Sequence, residues 1–152
     1  MKKKDFHISI TTNIPVSEAF KKIAKVGDWW LTSFKGKALK VNDVFSVIMG
    51  DHGNAHFKIT EAIHDKKIVW LVTDCRLNHY MDKKEWKNTK IVFELTELKG
   101  KTKIDFTHEG LDSGMECYTD CEWGWNHYIT ESLPTLFKTG KGMPYDGTYE
   151  QI

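Results

Sequence analysis

The sequence predicts an α+β domain in which an antiparallel β-sheet packs against one long C-terminal helix, with two short helices after the first strand. Three observations support this fold class. Apolar and polar residues alternate in residues 6–12, and apolar residues then recur at helical spacing in residues 15–27. Between residues 41 and 111, short apolar runs alternate with turn residues, which favours a meander of strands. From residue 113 to about residue 139 the period is helical again.

The N-terminal elements follow from local signals. Phe6 to Thr12 is predicted as a half-buried strand because its apolar residues all fall on one face. Pro15 then opens a helix, since its fixed φ suits a first helical turn, and we expect Gly27 to end it. The segment DWWLTSF, residues 28–34, is expected to form a short second helix or a turn that places its aromatic side chains under the sheet.

The central region is expected to contribute most of the sheet. Its predicted strands are Val44–Met49, Ala55–Ile63, Ile68–Thr73, Thr89–Leu98 and Lys103–Leu111. The connection from Cys75 to Asn88 is long for a hairpin, so we expect it to form a lid or rim. In the last strand His108 should share one face with Ile104 and Phe106.

The C-terminal helix is predicted over residues 113–139. Ser113 has the character of an N-cap, with Glu116 three residues later at capping-box spacing. Pro134 is expected to kink the last turns, and residues 143–152 are expected to form a surface arm.

The two faces of this helix differ in character. At 100° per residue one stripe should face the sheet. Its members are Cys117, Cys121, Trp125, Tyr128, Ser132 and Leu136. Trp123 and His127 fall on the opposite, polar side together with Asp120. An exposed Trp123 and His127 would mark a contact with a second subunit, so a homodimer is one expectation.

Length and charge narrow the classes of function. The 152 residues have the size of one domain, residues 1–152, and 22 Lys and Arg against 21 Asp and Glu leave a net charge of +1. We therefore expect no nucleic-acid partner and no membrane insertion. Three cysteines without a secretion signal favour free thiols in a reducing cytoplasm. The chain has no P-loop, dinucleotide-binding, nucleophile-elbow or HExxH motif, which disfavours the corresponding chemistries.

Three segments carry a resemblance to a known family. They are EWKNTKIVFEL, FTHEGL and ECYTDCEWGWNHYITESLPTLFKTGKGMPY. Together they resemble the SRPBCC superfamily of START and Bet v 1-like proteins, and within it the stand-alone bacterial branch labelled activator-of-heat-shock-protein-ATPase-like. The resemblance implies the helix-grip fold, a curved antiparallel sheet wrapped around the long C-terminal helix.

The resemblance also implies an apolar cavity between the sheet and the C-terminal helix. In the superfamily this cavity often holds a lipid, a hormone or a polyketide-like molecule, and a minority of members are enzymes. Co-chaperone members of the family carry a second, N-terminal domain, for which we expect no room in 152 residues. A small hydrophobic ligand is therefore the expected partner, with a chaperone as the alternative partner.

The cysteine pair has a metal-binding and a structural interpretation. Cys117 and Cys121 lie one helical turn apart, and with His108 they would form a zinc set that leaves one position open. Structural zinc cysteines usually lie two to four residues apart in a loop, however, and buried cysteine is a common apolar filler. The nearly parallel Cβ vectors on a helix also disfavour a disulfide. We therefore expect no metal, no cofactor and no disulfide at this pair.

His108 has two interpretations. In the first, it is a core histidine satisfied by one hydrogen bond, with Tyr128 or with a backbone carbonyl. In the second, it is a polar group of the ligand site that orients a ligand or acts as a general base.

These observations lead to three hypotheses of function. The first is binding of a small apolar or amphipathic molecule, with His108, Tyr128 and Ser132 as the polar groups that orient it. The predicted ligand-contacting residues are Trp30, Phe34, Met49, Trp70, Phe93, His108, Cys117, Cys121, Trp125, Tyr128 and Ser132. The second is a module that acts on a chaperone through its surface, and the third is an enzyme with His108 and Tyr128 as acid and base. A cavity of at least ~300 Å³ would favour binding or catalysis, and a filled core would favour the surface.

Overall fold

The computed structural model describes residues 4–145, which form a seven-stranded antiparallel sheet and a set of helices. The strands are β1 (Phe6–Thr12), β2 (Lys35–Gly36), β3 (Val44–Ile48), β4 (Gly53–Ile63), β5 (Lys67–Leu77), β6 (Lys90–Leu98) and β7 (Lys101–Glu109). The helices are α1 (Val16–Ile23), α2 (Val26–Trp29), a 3-10 turn (Gly50–His52), α3 (Tyr118–His127), a π-helical turn (Tyr128–Ser132) and α4 (Leu133–Thr139).

The strand order across the sheet is β1-β7-β6-β5-β4-β3-β2. Sequential strands from β2 to β7 pair with their neighbours, and β1 joins the far edge by pairing with β7, where Phe6 lies opposite His108. The sheet curves around the C-terminal helical segment, residues 118–139. The predicted α+β class and helix-grip fold are confirmed.

Alternation along the strands produces the core. In β7, Ile104, Phe106 and His108 are all buried, as predicted from their shared face. The register of the sheet places Phe93 of β6 opposite Phe106, whose ring contacts Trp125 of the C-terminal helix with 4.8 Å between centroids. Because a one-residue slip would turn these side chains to solvent, burial of this face specifies the register.

The C-terminal helix begins later than predicted. Residues 113–117 form turns, and α3 begins at Tyr118, so Ser113 is not the N-cap. The reason is a cap from elsewhere in the chain: the carboxylate of Glu85 accepts hydrogen bonds from the backbone N–H groups of Glu116, at 2.9 Å, and Cys117, at 3.0 Å. This carboxylate satisfies N–H donors that the predicted capping box would have satisfied locally.

Pro134 lies directly after a wide helical turn. The proline ring lacks an N–H and crowds the carbonyl four residues earlier. The chain changes to a π-helical turn over Tyr128–Ser132 and resumes as α4, with Pro134 in its first turn. In place of the expected kink in the last turns, the helix is therefore interrupted by the π-helical turn before the proline.

Other boundaries also differ from the predictions. The first helix ends at Ile23, and Gly27, expected to end it, lies inside α2. Strand β5 continues to Leu77, so the long connection is residues 78–89, called here the β5–β6 loop. The start of the predicted surface arm is hydrogen-bonded to the end of α2, because Tyr145 N donates to Trp30 O at 2.9 Å. Residues 1–3 and 146–152, with the rest of that arm, lie outside the described residues.

No helix within residues 4–145 is long and apolar enough to cross a membrane.

Gly53, at the turn into β4, provides a test of this architecture. Its φ is +125°, and a Cβ there would lie 1.7 Å from the carbonyl oxygen of Arg76. Gly53→Ala should therefore force the backbone apart and lower the free energy of unfolding by several kcal/mol. Gly100 has φ +72° with nothing within 4 Å of a Cβ, so Gly100→Ala should cost only the left-handed strain of about 1–2 kcal/mol. Urea unfolding of both variants measures the difference, and equal losses would contradict this account.

Candidate functional site

A cavity of about 130 Å³ lies between α3 and one end of the sheet. Its wall comes from four parts of the chain: the end of α2, the β3–β4 connection, the end of β5 with the β5–β6 loop, and α3 with its π-helical extension. The first three contribute Trp30, Met49, His52, Leu77, Tyr80 and Trp86. The C-terminal helical segment contributes Asp120, Cys121, Trp123, Gly124, Trp125 and Tyr128.

The β5–β6 loop is attached to the start of α3 by hydrogen bonds in both directions. The Tyr80 hydroxyl donates to the Asp120 carboxylate. The Glu116 carboxylate accepts the backbone N–H of Met81 at 2.9 and 3.0 Å, and Glu85 of the loop caps the helix as described above. Tyr80 and Trp86 of this loop line the cavity, so the prediction that the long connection forms a rim is confirmed.

Three indoles that contact one another line the cavity. Trp30 lies 4.9 Å from Trp125 between ring centroids, and Trp86 lies 6.0 Å from Trp125 at an interplanar angle of 14°. The Nε1–H of Trp86 donates to the sulfur of Cys121 at 3.3 Å. These contacts join α2, the loop and α3 into one wall.

Tyr80 at the cavity and Cys117 beside it are held in their neutral forms. Burial, together with the hydrogen bond to Asp120, raises the pKa of the Tyr80 phenol well above its ordinary value. The neighbouring thiol of Cys121 and burial raise the pKa of Cys117 in the same way. All three cysteines are free thiols. Among the described residues, no three His, Cys, Asp or Glu side chains converge to hold a metal ion.

His108 is a fully buried and fully hydrogen-bonded core residue. Trp125 donates its Nε1–H to Nδ1 of His108 at 3.1 Å, and Nε2 lies 2.9 Å from the Thr89 hydroxyl oxygen. Thr89 donates its own proton to the Trp86 carbonyl at 2.6 Å. The network therefore places the imidazole proton on Nε2. Burial lowers the pKa of His108 to about 3, so the ring is neutral.

The hydrogen bonds of His108 correct two expectations. Its partners are Thr89 and Trp125, where Tyr128 or a backbone carbonyl was expected. An acid–base role with Tyr128 requires an imidazole nitrogen at the cavity, and both nitrogens are engaged in the core.

The structure divides the predicted ligand-contacting residues into two groups. Those on the wall of the cavity are Trp30, Met49, Cys121, Trp125 and Tyr128. Those away from this wall are Phe34, Trp70, Phe93, His108, Cys117 and Ser132. The second group faces inward as predicted but packs against other core residues. The Ser132 hydroxyl, for example, donates to Trp29 O at 2.6 Å and accepts from Met143 N at 2.8 Å, so it joins the chain to itself.

Sequence reasoning missed part of the wall. Asp120 and Trp123 were assigned to the solvent side of the helix, and both are exposed, but the β5–β6 loop packs beside them, so both also line the cavity. Gly124 was not identified from the sequence, because a glycine contributes to the cavity only by leaving space where a side chain would be. His52 and Leu77 were not singled out. Only the length of the loop, with Tyr80 and Trp86 in it, pointed to this part of the site.

The volume of the cavity falls below the ~300 Å³ expected for a drug-sized ligand. The core is nevertheless not filled, because 130 Å³ is comparable to an engineered apolar cavity of about 150 Å³ that binds benzene. The cavity can therefore hold a small group, but it is too small to enclose a large ligand completely.

The buried imidazole has a measurable effect on stability. Because the folded-state pKa of His108 lies below the unfolded value of 6.5, the unfolded chain binds more protons between about pH 6.5 and 3, and stability falls as the pH falls through this window. From about pH 7.5 to 5 the loss from this residue should be about 2 kcal/mol. Urea unfolding at both pH values should show a smaller loss of stability between them in His108→Gln than in wild type. An unchanged pH dependence in the variant would contradict a neutral, buried His108.

Comparison with known proteins identifies the family. Residues 16–138 match the family described as Activator of Hsp90 ATPase homolog 1-like protein. The sequence has no significant match among curated proteins.

Several solved structures share the fold. The Aha1 dimer from Colwellia psychrerythraea is similar with a TM-score of 0.73 and 20% identity, over 91% of this chain and 99% of that chain. Protein SSP2350 from Staphylococcus saprophyticus has a TM-score of 0.69 and 13% identity, over 92% and 96%. DynU16, a putative protein in the dynemicin biosynthetic locus, has a TM-score of 0.67 and 14% identity, over 92% of this chain and 49% of that chain. At these identities the likeness shows the fold alone.

The family match spans most of the 152 residues and agrees with the predicted SRPBCC resemblance and the observed fold. The chain belongs to the Activator of Hsp90 ATPase homolog 1-like family.

Proposed function

We propose that the protein binds a small apolar or amphipathic molecule that places one ring-sized group in the cavity between α3 and the sheet. The observation that carries this proposal is the wall itself: the aromatic rings of Trp30, Trp86, Trp125 and Tyr128, all of them buried residues, border unfilled space. An apolar cavity with a few polar groups at its edge is the usual form of a small-molecule site.

The size of the cavity limits the ligand. A volume of about 130 Å³ holds one ring or a short branched chain. Burial of a group of this size contributes about 1.5–3 kcal/mol before ordering costs. Useful affinity therefore requires further contacts, which the rim offers at Met49, His52 and Tyr80. We infer a ligand whose remaining part lies between the β5–β6 loop and the β3–β4 connection.

Family membership and compartment are consistent with this role. The SRPBCC resemblance implies a ligand cavity at the same interface of sheet and helix, and one solved structure with this fold comes from a biosynthetic locus. Three free cysteine thiols suit the reducing cytoplasm, where we place the protein.

Association with another protein is the second candidate function. Trp123, on α3, is 44% exposed, and its ring stacks on His127 at 5.8 Å. Met81, on the loop that packs against α3, is 93% exposed. Large apolar side chains at the surface are enriched in protein contacts. The family is described by its likeness to an activator of the Hsp90 ATPase, and one structural neighbour was solved as a dimer.

A substitution at Gly124 tests the ligand site. A Cβ at this helical position would meet only Tyr128 Cε2, at 3.9 Å, so a larger side chain fits by filling the cavity. In wild type, 1-octanol should shift the indole N–H signals of Trp86 and Trp125 saturably in heteronuclear NMR, and Gly124→Leu should abolish the shift without unfolding the protein. The control Thr119→Leu places the same side chain on an exposed position of α3 outside the wall. Absence of a saturable shift in wild type would contradict the proposal.

Replacing Trp123 with a charged residue tests the second candidate function, association with another protein. If α3 forms a homodimer contact, Trp123→Glu should convert a dimer to a monomer, because a buried unpaired charge is costly at an interface. Analytical ultracentrifugation of wild type and variant measures this change. A wild-type monomer at high concentration would contradict self-association.

A further inference from the structure

We propose that the molecule bound in this cavity carries a cationic group, a quaternary or protonated amine, held by the aromatic wall and by the Asp120 carboxylate. This inference rests on the proposed function and specifies the chemical class of its ligand. Three features support it: the kind of rings in the wall, the direction of their polar groups, and the sign of the charge at the rim.

The rings of the wall are the type that attracts cations. Six aromatic side chains line the cavity: Trp30, Tyr80, Trp86, Trp123, Trp125 and Tyr128. The face of an aromatic ring carries negative electrostatic potential, and indole is the strongest of the protein side chains in cation–π contacts. Several rings around one small space are the arrangement by which proteins recognise methylated ammonium groups.

The positive ends of two of these indoles are turned toward the protein. Trp86 donates its Nε1–H to the sulfur of Cys121 at 3.3 Å. Trp125 donates its Nε1–H to His108 Nδ1 at 3.1 Å. Each N–H is therefore engaged by an acceptor of the chain. These two N–H groups are therefore not available as donors to an anionic ligand, whereas a cation interacts with the π-electrons of the rings and needs no donor.

The charge at the rim has the complementary sign. Asp120 lines the cavity, and the Tyr80 hydroxyl donates to its carboxylate and so holds it at the wall. Within the described part of the chain, none of the residues that line the cavity is Lys or Arg. The basic side chain that does line it, His52, packs edge to face against His79 with 4.8 Å between ring centroids.

The hydrogen bonds of Lys83 in the loop and of Glu116 beside α3 also fit this interpretation. The ammonium of Lys83 is directed to backbone carbonyls of its own loop, those of Asn78 and Tyr80, each at 3.1 Å. Glu116 lies on the same loop and helix junction as Asp120, where it accepts the backbone N–H of Met81. Lys83 is thus engaged by the backbone of its own loop, and the carboxylate on the cavity wall is that of Asp120.

Three probes with the same alkyl chain test the inference: octyltrimethylammonium, 1-octanol and octanoate, each titrated below its micelle concentration by NMR or calorimetry. We expect the cation to bind about tenfold or more tightly than 1-octanol, which corresponds to a desolvated cation–π contact. Octanoate should bind most weakly. Equal affinities for the cation and 1-octanol, or tighter binding of octanoate, would overturn the cationic class while the proposed function stands. Failure of all three probes to bind would overturn the proposed function as well.

Matched variants locate the preference. Asp120→Asn keeps an acceptor for the Tyr80 hydroxyl and removes one negative charge, so it should reduce the ratio of cation to 1-octanol affinity several-fold. Trp123→Leu should reduce the same ratio by replacing an indole with an apolar side chain. Glu97→Gln removes the same charge at the distant end of β6 and should leave the ratio unchanged. An unchanged ratio in both Asp120→Asn and Trp123→Leu would overturn the assignment of these groups to cation recognition.

Discussion

Five of the six tryptophans pack against one another where the sheet, α2, the β5–β6 loop and the C-terminal helix meet. Trp70 of β5 stacks at 5.9 Å from Trp30, which in turn lies 4.9 Å from Trp125 of α3. Large rigid rings contribute much of the area buried in a core. The rings that join the helix to the sheet include Trp30, Trp86 and Trp125, which also line the cavity that we propose as the ligand site.

A short chain of buried polar groups supports this aromatic layer. Trp125, His108, Thr89 and the Trp86 carbonyl form consecutive hydrogen bonds across α3, β7 and the loop. Each group in the chain is satisfied, which a buried polar group requires if it is not to destabilise the fold. This network orients the ring of Trp125 and holds the backbone of Trp86, two residues of the cavity wall, and it gives both ring nitrogens of the buried His108 a partner.

The sequence was sufficient for the fold because the fold rests on periodicity. The alternation in β7 and the stripe of α3 both depend on local spacing, and the burial of Phe106, Trp125 and Tyr128 follows from it. The start of α3 was not predictable in this way, since its cap is Glu85, more than thirty residues earlier in the chain. A cap of this kind exists only once the loop has folded onto the helix.

The site was predictable only in part for a related reason. Periodicity assigns a residue to a face but not to a depth, so Trp70 and Phe93 were placed in the site although other side chains separate them from the cavity. Asp120 and Trp123 were assigned to solvent because the helix alone places them there, and both are exposed, but the loop that packs beside them and completes the cavity wall is a tertiary feature. The wall residues that local spacing does not identify are thus those contributed by the loop and by the side of the helix next to it.

The most direct measurement is native mass spectrometry of the protein purified from its own host, compared with the same sample after denaturation. We expect an additional organic mass on the folded protein that is lost on denaturation and belongs to a molecule with an amine or quaternary ammonium group. Detection of the unliganded mass alone, under conditions in which added octyltrimethylammonium remains bound, would contradict the claim that the protein carries such a ligand in the cell.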